Sequence, residues 1–121
     1  MKVATVGSWT VGLGRVATGV GFLAAADRAA KRWVGDSSPT SVYLVRAVAA
    51  RDLAIGAGLV WALARRRDPL SWLAASVVSD LGDSIGSVVL PPEHRRISVV
   101  AAGGFGALGA ATAAAVARSR A

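Results

Sequence analysis

Apolar residues dominate four stretches of the chain, and short polar segments between them hold much of its charge. The stretches run from about Val6 to Ala26, Val42 to Ala64, Pro69 to Leu90 and Ile97 to Ala117. Each is near the ~20 residues that a helix needs to cross hydrocarbon. None is an unbroken apolar run, so the prediction rests on the set of four. The segments between them carry helix punctuation. "SPTS" offers Ser38 as N-cap and Pro39 as first helical residue, and "RRRDPL" offers Asp68 and Pro69 in the same roles. "PPEHRR" ends the third helix, because Pro91 and Pro92 cannot continue it. The short Arg65–Asp68 link makes the second and third helices an antiparallel hairpin. "DRAAKRWVGD" reads as an amphipathic interfacial extension of the first helix, with Arg28, Lys31 and Arg32 reaching headgroups, Trp33 at the interface and Gly35 as its stop. The predicted fold is all-α: a single domain, residues 1–121, forming a four-transmembrane-helix bundle with short loops. Its helices cover about 6–26 (extended to 34), 39–64, 69–90 and 97–117.

Composition agrees with the pattern. Only 17% of the 121 residues are charged and 54% are hydrophobic, whereas a soluble domain is about 25% charged. The formal net charge of +7 comes from twelve Arg and two Lys against seven acids. A nucleic-acid surface would need those bases on one polar face. Here most of them edge apolar stretches, so the expected partner is the lipid bilayer and not nucleic acid. Without cysteine there is no disulfide framework and no thiolate metal site. Four crossings put both termini on one side, with Lys2, Arg65, Arg66, Arg67, Arg118 and Arg120; the other side holds Arg28, Lys31, Arg32, Arg95 and Arg96. This near-even balance leans towards cytoplasmic termini in a bacterial inner membrane. Trp9, Trp61 and Trp72 fall at the terminal side, Trp33 and Tyr43 at the other, as two aromatic belts. "AAAD" at Ala24–Asp27 resembles a signal-peptide cleavage site, but Arg15 interrupts the apolar region before it, so the first helix is expected to be retained.

Ionisable residues at mid-depth change the picture most. Arg15 lies at the centre of the first stretch, Arg51 and Asp52 at that of the second, and Asp80 at that of the third, with Asp83 almost one turn on. Arg46 lies about 10 Å from the centre of its helix, where it can snorkel outward or reach towards Asp83. Three cations and three anions sum to zero. A lone charge at mid-membrane costs about 2.5–3.5 kcal/mol, so pairing inside the bundle, or protonation of an aspartate, is close to obligatory. The expected pairs are Arg51 with Asp80, Arg15 with Asp52 and Arg46 with Asp83. In "SVVSDLGDSIGS", Ser76, Ser79 and Ser87 share a helix face with Asp80 and Asp83, while Val77, Val78, Leu81, Ile85, Val88 and Val89 mostly turn the other way. This stripe reads either as a buried network that fixes helix register or as a proton, ion or substrate path.

Small residues recur at helical spacing: Gly7, Gly14 and Gly21; Ala17, Gly21 and Ala25; Ala54, Gly58 and Ala62; Gly103, Ala107, Ala111 and Ala115; Gly106, Ala110 and Ala114. Such faces let helices approach closely, within the bundle or against a second copy. Two glycine clusters imitate dinucleotide fingerprints, Gly104-Gly106-Gly109 and Gly12-Gly14-Ala17. Neither is followed by a readable βαβ unit, so no nucleotide and no other cofactor is expected. His94, the single histidine, reads as a loop residue. No catalytic residue and no metal ligand is assigned.

At "YLVRAVAARDLAIGAGLVWAL" the chain resembles an uncharacterised, domain-of-unknown-function family of small four-helix bacterial membrane proteins. Their second helix carries an R-x-x-x-x-R-D-L-A-x-G element, matched by Arg46, Arg51, Asp52, Leu53, Ala54 and Gly56. Ala49 and Ala50 stand where that family's pattern has a glycine. The resemblance implies a polytopic membrane location and no established activity. The leading expectation is a structural, assembly or accessory-subunit role, alone as a homo-oligomer or within a larger membrane complex. The alternatives are a small proton- or ion-coupled transporter using Asp80 and Asp83, and a membrane-embedded lipid enzyme.

Overall fold

Proline and short polar side chains decide where the helices start. A computed structural model describes residues 2–119; Arg120 and the Lys2 side chain, both counted above on the terminal side, lie outside the described part. Every regular element among the described residues is helical: α1 (Lys2–Ala24), α2 (Ala26–Trp33), α3 (Pro39–Ala64), α4 (Leu70–Gly86), a 3₁₀ turn (Ser87–Val89) and α5 (Pro92–Arg118). Ser38 caps α3: its side chain accepts from the Ser41 N–H at 3.2 Å, ahead of Pro39. At α4 the expected roles shift by one residue: Pro69 stands at the N-cap position, and Asp68 before it accepts the Leu70 N–H at 2.8 Å.

Two boundaries differ from expectation. The third helix stops regular α geometry at Gly86 instead of Leu90, tightening through the 3₁₀ turn until Leu90 becomes extended. A residue before proline is driven out of the α region. The same prolines start α5 five residues early, since Pro92 fits the first helical turn and Glu93 complements the helix N-terminus. His94 therefore belongs to the first turn of α5 and not to a loop. Its Nδ1 lies 2.8 Å from the Arg32 carbonyl at the end of α2.

The interfacial extension is a separate helix. At Ala25 the backbone leaves helical geometry, and α2 turns 103° from α1. Ala26 and Ala30 bury against Val42 and Val45 of α3, while Asp27, Arg28, Lys31 and Arg32 stay exposed. Gly35 ends α2 at φ +107, a conformation that favours glycine.

On length and composition, α3 and α5 can each cross a membrane, and the bent α1–α2 pair is a third candidate. The 17 residues of α4 span about 25 Å and carry two aspartates, short of the ~30 Å of hydrocarbon. Two or three clear spans thus stand in place of the four expected. Much of the molecule's exterior is apolar: Val6, Leu13, Val20, Val78, Leu81, Ile85 and Val100 are all more than half exposed. An exterior of this kind calls for lipid or protein cover.

The most extensive contacts are between α1 and α3 and between α4 and α5; α1 also packs on α5. Glycine makes the first of these possible. A Cβ on Gly56 would stand 2.8 Å from the Gly12 carbonyl oxygen and the Val16 nitrogen, and one on Gly19 would stand 2.8 Å from the Ala49 carbonyl oxygen. The expected small-residue faces contribute less evenly. Gly7 meets Thr112 and Gly58 lies under the Trp72 ring, but Gly21 and Gly103 face open space. Two apolar layers result. Val11, Leu59 and Leu73 close the end near the termini, and Ala26, Ala30, Val42 and Val45 close the other.

Gly56→Ala should push α1 from α3 and cost about 1–3 kcal/mol by overpacking. Gly21→Ala, with nothing within 4 Å, should hold or raise stability by up to ~1 kcal/mol through helix propensity. Thermal midpoints in detergent, followed by circular dichroism, check the pair.

Candidate functional site

Between the two apolar layers lies a layer of charge, and Arg15 is its centre. The side chain projects from α1 at the level where Gly56 lets α3 come closest. Arg15 is 3% exposed. Its Nη1 donates to Asp52 Oδ1 on α3 at 2.7 Å, and its Nη2 donates to Asp80 Oδ1 on α4 at 2.5 Å. Nε donates to Ser76 Oγ, and Nη2 also reaches the Ser76 carbonyl at 2.9 Å. One guanidinium thus joins three helices. Its planar fork of five N–H groups suits such a junction, where the single ammonium of lysine would not.

Arg51 forms the second junction. Nη1 and Nη2 donate to the two oxygens of Asp83 at 2.8 and 2.7 Å, a bidentate pair between α3 and α4. Nη2 also lies 3.2 Å from Asp52 Oδ1. These side chains are less enclosed than Arg15: Arg51 is 33% exposed and Asp83 31%.

The expected pairing is therefore corrected in two of three places. Arg15 does meet Asp52, but Arg51 takes Asp83, and Asp80 goes to Arg15. Asp80 and Asp83 are three residues apart, so their side chains diverge by about 60° around α4. One faces α1 and the other α3. Arg46 is exposed and forms no ion pair among the described residues. It lies about 140° around α3 from Arg51, turned away from the layer. Without Arg46 the count is two cations against three anions. The layer carries a formal charge of −1 instead of zero.

The serine stripe lies on the inner face of α4. Ser76, Ser79 and Ser87 are buried, whereas Val78, Leu81, Ile85, Val88 and Val89 are exposed; Val77 departs from the expected outer face, half-buried against Gly109 of α5. Ser87 Oγ donates to the Ser84 carbonyl and Ser84 Oγ to the Asp80 carbonyl. Ser84 was not singled out in the sequence. Two buried polar atoms, Ser79 Oγ and Asp80 Oδ2, have no hydrogen-bond partner among the described residues. A cavity of about 170 Å³ lies against this layer, bordered by Arg15, Asp52, Asp80, Asp83 and three aromatic rings, Phe22, Trp33 and Phe105. Phe22 and Trp33 meet edge to face with centroids 5.0 Å apart. The elbow at Ala25 brings those two rings together, and no sequence spacing signals that bend.

Among the described residues no group of three His, Cys, Asp or Glu could hold a metal ion. Gly104, Gly106 and Gly109 lie inside α5, and Gly12, Gly14 and Ala17 inside α1, so neither cluster forms the strand–turn–helix that a dinucleotide site needs.

Arg15→Met should cost about 3–5 kcal/mol, because Asp52 loses its closest partner and Asp80 the only ion-pair partner it has among the described residues, within a buried layer. Arg46→Gln should change stability by less than ~0.5 kcal/mol. Unfolding midpoints in detergent, with abundance in the membrane fraction, measure both. No protein-family model, no curated protein and no solved structure matches the chain.

Proposed function

We propose that the chain is a polytopic protein of a bacterial inner membrane, with α1, α3, α4 and α5 all crossing and both termini cytoplasmic. In this reading α4 crosses as part of the bundle, its aspartates facing inward and the 3₁₀ turn adding to its length. The termini, Trp61, Trp72 and the Arg65–Arg67 run then occupy one interface. α2 lies along the other, presenting Arg28, Lys31 and Arg32 to headgroups. Arg67 over the Trp61 ring, 5.4 Å from its centroid, suits such an interface. The R-x-x-x-x-R-D-L-A-x-G likeness is consistent with this and adds no activity.

Its role is structural: an assembly element or accessory subunit of the membrane. The carrying observation is Arg15, whose hydrogen bonds unite α1, α3 and α4. Such an arrangement holds helices in register. The Arg51–Asp83 pair at the same depth, about one-third exposed, supports a neighbouring copy or another subunit, since lipid is a poor cover for an ion pair. The open faces at Gly103 and Gly104 leave α5 room for a close helix–helix contact. A small ion-coupled carrier is the second reading, favoured by the cavity that reaches Asp80.

Reporter fusions at residue 67 and at the carboxyl terminus should report the cytoplasm, and fusions at residues 36 and 91 the opposite side. The chain should stay in the membrane fraction after an alkaline wash. Recovery in the aqueous fraction, or a reporter pattern without alternation, would sink the four-crossing reading.

A further inference from the structure

We propose that the cavity beside Asp80 is a binding site for a small organic ammonium ion with an apolar body. The inference goes beyond the structural role above and rests on the charge layer, not on the number of crossings. Four observations converge on it.

First, the layer is one negative charge in excess. Arg15 and Arg51 face Asp52, Asp80 and Asp83, while Arg46 stands outside. A bound monocation would neutralise it. Second, the least satisfied carboxylate of the layer belongs to a residue that lines the cavity. Asp80 is 6% exposed, and its Oδ1 is taken by Arg15, whereas its buried Oδ2 has no partner among the described residues. A Cβ placed on Gly106 would stand 3.3 Å from Asp80 Cβ and 3.9 Å from Oδ2, so the Asp80 side chain packs against α5 next to Phe105. Third, Phe22, Trp33 and Phe105 border the space. Aromatic faces attract organic cations. Fourth, the site is wrong for a metal. No group of three metal-ligating side chains occurs among the described residues, and hard cations need six or more oxygens. The volume, about 170 Å³, compares with the roughly 150 Å³ cavity that takes one benzene. The bound ammonium would donate a hydrogen bond to the Asp80 carboxylate and lay its apolar body against the rings.

Equilibrium dialysis of the full chain in detergent micelles, against detergent alone, tests this with benzylammonium and with benzyl alcohol, a neutral molecule of the same shape. Saturable binding is expected, with the cation held about tenfold or more tightly than the alcohol, as a charge-assisted hydrogen bond would give. Asp80→Asn should abolish that preference and leave alcohol binding within about twofold. Phe105→Ala removes a ring that is 41% exposed, so the fold survives it. It should weaken the cation severalfold with an unchanged elution profile, and it carries the test should the Asp80 variant aggregate. Equal affinities for cation and alcohol, a preference that persists in Asp80→Asn, or full affinity in a folded Phe105→Ala variant would overturn the site. A membrane-resident chain with no cation preference would overturn the site alone and leave the structural role standing.

Discussion

A buried guanidinium must be matched by acceptors in three directions at once, and that constraint organises this protein. Arg15 takes its acceptors from α3 and α4, so neither helix can shift along α1 without leaving charge uncompensated. Such a layer adds little net stability over apolar packing, because desolvation consumes most of the Coulombic gain. What it adds is discrimination. A bundle of small apolar residues in lipid has many nearly equivalent registers, and an unmatched charge makes the wrong ones costly.

The rest of the fold serves that layer. Gly56 and Gly19 allow α1 and α3 to approach until backbone meets backbone, which sets the depth of Arg15 relative to Asp52. α3 and α4 share far fewer close contacts than α1 and α3 do. What joins them is the bidentate Arg51–Asp83 pair, with Leu59 and Leu73 in the apolar layer beside it. Apolar layers above and below exclude water from the ions and strengthen their attraction.

The elbow between α1 and α2 has a second consequence. It turns a polar, cationic helix across the end of the bundle and brings Phe22 against Trp33. Those rings wall the cavity that opens on Asp80. The structural network and the unpaired acceptor are thus two parts of one device: pairing fixes the carboxylate through Oδ1, and its other oxygen has no partner among the described residues, in a side chain that lines the cavity.

Much of this was legible in the chain. Hydrophobic periodicity located the helical stretches. Ser38 and Asp68 marked two starts, and the mid-depth placement of Arg15, Asp52, Asp80 and Asp83 called for a buried ion layer, since a lone charge at mid-membrane is costly. Which cation meets which anion was not legible. That depends on the rotation of each helix about its axis and on the offset between helices, and Asp80 and Asp83 are close enough in sequence for either to serve either arginine. The early start of α5 at Pro92 and the bend at Ala25 were likewise missed, because a proline or a small residue permits more than one local geometry. Sequence determined that charges must be buried and at what depth. Only the tertiary structure decided that Arg46 stays outside, because facing is a property of packed helices and not of spacing along one of them.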